Sequence, residues 1–444
     1  MSERSEPATS VGTSHVETEV GSVFVSNYPP YSFWSEERAQ GALDALQQPP
    51  RPDTPLGLYL HIPFCRRRCK FCYFKVYTDK NSSEIERYVE AVAAEAERAA
   101  KLPAVAGRPV KFVYFGGGTP SYLSTKHLRM LVDRVRRAIP WDGIEEVAFE
   151  AEPGTLTEPK LATIREVGVT RLSLGVEHFD DEILRENGRA HVSKEIDRVI
   201  PWVRAAGFEQ WNLDLIAGMV GDTDATWARA VERTIEASPD SVTIYQMELP
   251  FNTVYSKQKL EGGGPHIADW QTKRRWHDEA FRRLEQAGYE LSSAYTMVKK
   301  GGNGRFVYRN SVWQGCDLLP LGVSSFGHMN GVHYQNISRW DEYLRRIEAG
   351  EAAVDRAYET SESERLTREL ILQLKLGRIS AAPFQQKFGV SILETFAGAF
   401  DKLKADGMLE IEGDEIRLTR TGLLRVDQLL PAFYAEAHQN ARYT

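Results

Sequence analysis

Cysteine is scarce in this chain, four in 444 residues, and that scarcity excludes a disulfide-stapled secreted scaffold. No apolar run approaches the ~18 residues a membrane span needs, and the polar residues 1–7 contain no apolar core of a secretion signal. Cationic excess is missing too. The 55 Lys and Arg stand against 62 Asp and Glu, a formal charge of −7, which argues against a nucleic-acid or anionic-membrane surface. These absences leave a cytoplasmic protein of ordinary globular composition, 42% hydrophobic and 26% charged, long enough for two or three domains.

Three of the four cysteines, Cys65, Cys69 and Cys72, follow directly on the apolar residues 57–64. Three clustered cysteines cannot pair evenly as disulfides, but three thiolates on one loop can converge on one inorganic centre. A cubane iron–sulfur cluster normally takes four cysteinates, so three leave one iron open to a small molecule. Structural zinc, with His61 or His127 as a further ligand, is the alternative, although zinc loops usually carry their ligands in C-x2-4-C pairs. The same loop holds Arg66, Arg67, Arg68 and Lys70, either a solvated rim or an attractor for an acidic substrate or electron donor.

Residues 1–20 are rich in Ser, Thr, Glu and Val without periodicity and predict a disordered leader. Residues 21–56 read as an arm with Tyr28, Tyr31 and Trp34 and a helix over 35–47. Such an arm either covers a site or simply adheres to the surface. From 57 to 250 apolar strands at 58–62, 111–115, 147–151, 171–176, 212–217 and 242–247 alternate with helical patterns near 84–101, 125–138, 158–167, 180–186, 193–206 and 224–237. Six βα units in series predict an α/β fold, a partial (β/α)6 barrel of parallel strands with its site at their carboxyl ends. Residues 251–358, with a helix near 267–287 and a strand at 289–297, predict an extension that walls the barrel mouth. Residues 359–444, with amphipathic stretches at 366–376 and 392–406 and a hairpin after Gly407, predict a mainly helical, winged-helix-like cap. Cys316 stands alone and suits a buried structural thiol.

After the second strand come Gly116, Gly117, Gly118, Thr119 and Pro120. Consecutive glycines either make a tight turn or let backbone N–H groups approach a ligand closely. Later strand ends carry Glu150 and Glu152, Glu177 and His178, Asp214, and Gln246 and Glu248. Carboxylates in a barrel mouth are costly unless partnered, by a cationic ligand with hydroxyls or by Arg165, Arg171 or Arg189.

The order of these motifs resembles the radical SAM superfamily, and from about residue 22 to 435 the chain resembles oxygen-independent coproporphyrinogen III oxidase and its relatives. The resemblance implies a 4Fe-4S cluster on Cys65, Cys69 and Cys72, one S-adenosylmethionine on its open iron and a second beside it. Tyr59, Gly117, Glu150 and Phe326 match positions at the first molecule. Phe71, Gly118, Thr119, Glu177, Arg189, Asp214 and Met247 match positions around the second. A small-molecule substrate, a flavodoxin- or ferredoxin-type electron donor and a monomeric state are expected.

Two departures redirect the reading. Phe74 stands where the oxidase has a fourth cysteine, and Glu177 where it has glutamine, so a group that donates and accepts becomes one that only accepts. What remains resembles the class C radical SAM methyltransferases and cyclopropanases, which move a methylene unit from the second S-adenosylmethionine to an sp2 carbon. Coproporphyrinogen oxidation and a heme-chaperone role are the alternatives, the chaperone weakened by the aromatic arm. Addition to a carbon also calls for a base near the mouth, and Glu248, Tyr245 and Tyr28 are the candidates.

Overall fold

The computed structural model describes residues 17–22, 24–439 and 441. Most of the expected disordered leader lies outside the described residues, but its last part is packed. Thr18 is buried, donates its hydroxyl to the Ala268 carbonyl at 2.9 Å and accepts from Lys273 Nζ at 2.7 Å. The leader therefore does not extend to residue 20, because two long-range hydrogen bonds hold its end down.

Six strands, β1 (Leu56–Ile62), β2 (Val110–Gly117), β3 (Glu146–Ala151), β4 (Arg171–Glu177), β5 (Gln210–Ala217) and β6 (Ser241–Gln246), lie side by side in chain order, all parallel. Right-handed βα crossovers build this arrangement. Beyond β6 the sheet continues with the antiparallel pair β7 (Tyr289–Ser293) and β8 (Thr296–Lys299), β8 lying next to β6. The single strand expected over 289–297 is thus a hairpin. Its turn is held from outside the sheet, the Ala294 N–H bonding the Lys375 carbonyl at 2.7 Å. At the other edge β9 (Asp317–Leu321) pairs parallel with β1, followed by antiparallel β10 (Phe326–Met329), β11 (Val332–Asn336) and β12 (Val354–Glu359).

Residue alternation sets the two faces of the barrel. Leu172, Leu174 and Val176 of β4 are fully buried toward the outer helices, while Arg171, Ser173, Gly175 and Glu177 line an internal cavity. On β5, Leu213 and Leu215 are buried, while Asn212 and Asp214 line the cavity. Period two along a strand therefore gives an apolar outside and a polar inside. Each buried outer leucine contributes about 1.5–3 kcal/mol.

The helices covering that outer face begin at local caps. Asn81 accepts from the Ser83 and Glu84 N–H groups and Glu84 returns to the Asn81 N–H, starting the helix Ser82–Ala99. The C-terminal part packs the helix Glu362–Leu374 and shorter helices against a second sheet of β13 (Arg378–Ser380), β14 (Leu409–Glu412) and β15 (Glu415–Leu418), in the order β13-β15-β14. Asp427 ties three regions together, accepting from the Val25 N–H (2.9 Å), the Tyr295 hydroxyl (2.6 Å) and the buried Lys375 Nζ (2.9 Å). Among the described residues no helix is long and apolar enough to cross a membrane.

Candidate active site

The polar inner face opens into a cavity of about 1280 Å³, larger than the usual ~300–1,000 Å³ of a small-molecule site. At the carboxyl ends of the strands its wall is the loop 65–72 with all three clustered cysteines, together with Gly117, Gly118 and Thr119. Backbone contacts fix this loop: Cys65 N–H to the Tyr77 carbonyl (3.1 Å), Tyr77 N–H to the Pro63 carbonyl (2.8 Å) and Lys70 N–H to the Asn187 carbonyl (3.0 Å). Glycine is required beside it. Gly117 has φ +113°, and a Cβ on Gly118 would stand 2.9 Å from the Phe64 carbonyl oxygen.

Burial pushes the Cys65 thiol up to about 11 and the Cys72 thiol up to about 12. Without compensation these sulfurs stay protonated, so an electron-poor inorganic centre that takes them as thiolates suits the donor set. Hydrogen-bonding groups aimed at the sulfurs are already in place. Arg189 Nη1 donates to Cys69 Sγ at 3.4 Å, and Thr119 Oγ1 lies 3.3 Å from Cys65 Sγ. The residues present fit an iron–sulfur cluster, with hydrogen-bonding groups of Arg189 and Thr119 against two of its three sulfur ligands.

Three carboxyl groups crowd the same cavity. Burial pushes Glu150 up to about 7 and Asp214 up to about 8, the second also through the charge of Glu177, which burial raises in turn. Glu150 accepts from the Tyr114 hydroxyl (2.5 Å), and Asp214 from Ser173 Oγ and Asn212 Nδ2 (2.8 Å each). Glu177 adopts a left-handed φ of +65°, rare for a side chain of this kind, where β4 slips register against β5. Its carboxylate lies 3.6 Å from Arg189.

These carboxyls make stability depend on pH. Their folded values lie above the ~4 of an unfolded chain, so the folded state binds extra protons. Their favourable contribution is complete below about pH 4 and is lost as pH rises through the folded values near 7 and 8. The ligand-free protein is expected to melt at a lower temperature at pH ~8.5 than at pH ~6, and Asp214→Asn to flatten that dependence. Melting curves across pH check this; an unchanged slope in Asp214→Asn would remove Asp214 as its source.

Two family models match the chain: Radical SAM superfamily over residues 59–234 and HemN C-terminal domain over residues 360–425. The chain belongs to the radical SAM superfamily, in its HemN-like family. It is 26% identical over 433 residues to the oxygen-independent coproporphyrinogen III oxidase of Escherichia coli (strain K12), covering 94% of this chain and 93% of that protein. It is 26% identical to the heme chaperone HemW of Bacillus subtilis (strain 168), covering 85% of this chain and 99% of that protein. To HemW of Mycobacterium tuberculosis it is 29% identical over 86% of this chain and 95% of that protein. The solved structure of the radical SAM enzyme coproporphyrinogen III oxidase (HemN) from Escherichia coli shares the fold with a TM-score of 0.80 at 24% identity, covering 92% of this chain and 96% of that one.

Within this family fold, Cys65, Cys69, Phe71, Cys72, Gly117, Gly118, Thr119, Glu150, Glu177, Arg189, Asp214, Tyr245, Met247 and Glu248 all line the cavity. Three expected residues do not. Tyr28 is fully buried, its hydroxyl accepting from the Ala435 N–H (3.1 Å) and lying 2.8 Å from His438 Nδ1, so it anchors the arm and is no candidate base. Phe326 is covered by the rings of Tyr31 (4.6 Å) and Trp34 (5.7 Å). Tyr59 stands behind the wall, its hydroxyl 2.9 Å from His61 Nδ1 and its ring stacked on Tyr114, which does line the cavity. Arg165, offered as a partner for the carboxylates, instead donates to the Val169 carbonyl at 2.7 Å.

Tyr31 of the arm does cover the site, and Ser22 and Phe24 beside it and residues 423–428 of the C-terminal part, which residue patterns did not single out, close the mouth from both sides. Residue reading also missed Tyr114 and Arg309, while Arg171, expected as a partner for the carboxylates, does line the cavity. For Tyr114 a signal existed: it stands on β2, the strand that runs into the glycines of the cavity wall.

Proposed function

We propose that this chain is an S-adenosylmethionine-dependent radical enzyme acting on a substrate of tetrapyrrole size, as its coproporphyrinogen III oxidase relatives do. One observation carries the reading: a three-thiol loop and a set of inward carboxyls open into a single cavity of about 1280 Å³, roofed by the arm and the C-terminal part. Cys65, Cys69 and Cys72 would hold the cluster, which when bound supplies the electron that breaks the sulfonium of S-adenosylmethionine. The chain's own groups bind, orient and keep water out. Glu150, Glu177 and Asp214 would accept from ammonium and ribose hydroxyl groups, of one or two S-adenosylmethionine molecules. Gly117 and Gly118 bring backbone close to the ligand, and Phe71, Met247, Phe24, Tyr31 and Tyr295 exclude water. Tyr245 is 39% exposed, and that exposure is to the cavity.

Glu248 is placed to hold or release a proton. Burial pushes its carboxyl up to about 7 against the pull of Lys273, and its Oε2 is buried without a partner among the described residues. The exposed Arg66, Arg67 and Arg68 at the cluster loop suit an acidic electron donor.

Sequence reasoning placed methylene transfer first. The relatives matched along most of the chain are named oxidases and heme chaperones, and they move the oxidase reaction ahead of it. Methylene transfer remains the second reading because Phe74, in place of a fourth cysteine, exposes 41% of its surface with its ring 4.4 Å from that of Tyr73. Anaerobic turnover with coproporphyrinogen III and methyl-deuterated S-adenosylmethionine separates the two. The expected outcome is unlabelled 5′-deoxyadenosine with release of carbon dioxide. Deuterium in 5′-deoxyadenosine and a product heavier by CD2 would establish methylene transfer instead. Stoichiometric hemin binding without any cleavage of S-adenosylmethionine would establish the chaperone.

A further inference from the structure

The far end of the cavity holds a cation that no carboxylate among the described residues contacts. Arg171 and Glu146, the first residues of β4 and β3, mark the amino ends of the strands. Glu177, beside the cluster loop, ends β4, so the two ends of the cavity are about 20 Å apart at ~3.3 Å per residue. The segment after Gly304 closes the amino end. Its Val307 and Tyr308 N–H groups donate to Glu146 at 3.2 and 2.9 Å.

Glu146 is also the carboxylate partner of Arg171, at 3.0 Å from its Nε. The other Arg171 donors go to Ser241 Oγ, Gln210 Oε1 and the Arg305 carbonyl. Glu146 is thus shared among three donors, and Arg171 has all its nitrogens engaged.

Arg309 is left over. Its guanidinium sits 4.6 Å from the Phe306 ring, whose ring also carries Arg171 at 3.6 Å, so two cations meet at one aromatic ring. Nε donates to Asn310 Oδ1 at 3.0 Å and Nη2 to Ser292 Oγ at 3.0 Å, while Nη1 is buried with no acceptor among the described residues. Neutral oxygens therefore hold the fork in place, and no carboxylate among the described residues contacts it. Arg309, Phe306, Tyr308 and Trp313 all line the cavity. Two cations and one carboxylate leave a positive charge in a shielded wall, an arrangement that favours an incoming anion.

We infer that Arg309 is the centre of an anion site at the end of the cavity opposite the cluster, and that its occupant is a carboxylate carried by the substrate, remote from the reacting carbon. The occupant's being part of a tetrapyrrole rests on the proposed function; the anion site itself does not. Such a site would fix the substrate's register along the barrel, deciding which carbon reaches the carboxyl ends of the strands.

The test uses the full-length, cluster-reconstituted protein and two probes. Succinate at constant ionic strength is read by thermal unfolding, and coproporphyrin III by equilibrium fluorescence titration. Succinate is expected to raise the melting temperature of the parent, to have no effect on Arg309→Met, and to act partially on Arg309→Lys, which keeps the charge but loses the fork. Coproporphyrin III should bind Arg309→Met roughly 10- to 100-fold more weakly, the size of a lost charge-assisted hydrogen bond. An absent succinate shift in the parent, or a shift of equal size in Arg309→Met, overturns the site. Equal coproporphyrin III affinity in parent and variant overturns it as well. If coproporphyrin III binds neither protein while succinate still discriminates them, the anion site stands and the tetrapyrrole reading falls.

Discussion

Replacing Cys65, Cys69 and Cys72 by alanine leaves a folded protein that neither holds iron nor cleaves S-adenosylmethionine. The loss is complete because no other cysteine lies at the site; Cys316 is buried in a separate cluster with Phe112 and Val307. The fold survives because the strand before the loop does not depend on the thiols. Leu58, Leu60, Ile62 and Phe64 are fully buried, and the loop is pinned through its backbone to Tyr77 and Asn187. Iron and sulfide analysis of the anaerobically reconstituted parent should give about four of each per chain, and the variant none, with unchanged circular dichroism. One tightly held zinc in the parent, without reductive cleavage, would return the site to structural zinc.

The second large effect is on stability. Arg189→Met should cost about 3–5 kcal/mol, the usual result of removing one partner of a buried ion pair. Arg189 and Glu177 keep only 11% and 14% of their side-chain surfaces exposed. Burial works against the guanidinium charge, but Cys69, Glu177 and Glu152 together hold it well above its ordinary value. Without Arg189 the Glu177 carboxylate remains in the wall with no cation among the described residues paired to it, and the Gly175 carbonyl loses a donor at 2.7 Å. Glu177→Gln removes that charge while keeping the shape, so the double variant should recover more than half of the loss. Urea unfolding of the four proteins measures this. An equal cost of Arg189→Met in both backgrounds would mean that the ion pair is not its source.

Local pattern carried most of the barrel. The helices expected over 125–138 and 224–237 are Thr125–Ala138 and Asp224–Ala237, because Ser124 and Thr223 cap them within one turn. The three cysteines, the glycines after β2 and the carboxylates at strand ends were legible for a similar reason: each sits at a position that the strand–loop–helix alternation makes a strand end. Tertiary structure decided which side chains share a wall. Tyr28 and Tyr31 are three residues apart in one arm, yet Tyr31 lines the cavity while Tyr28 turns toward His438. Arg171 and Arg309 are each an ordinary arginine in sequence, and only the closure of the barrel's amino end brings both to Phe306. Asp427 joins Val25, Tyr295 and Lys375 across almost the whole length of the chain. Periodicity and capping are settled by neighbours within a few residues, so the sequence alone determines them. Charge balance inside a cavity depends on which distant segments pack together, and that is settled only when the whole chain has folded.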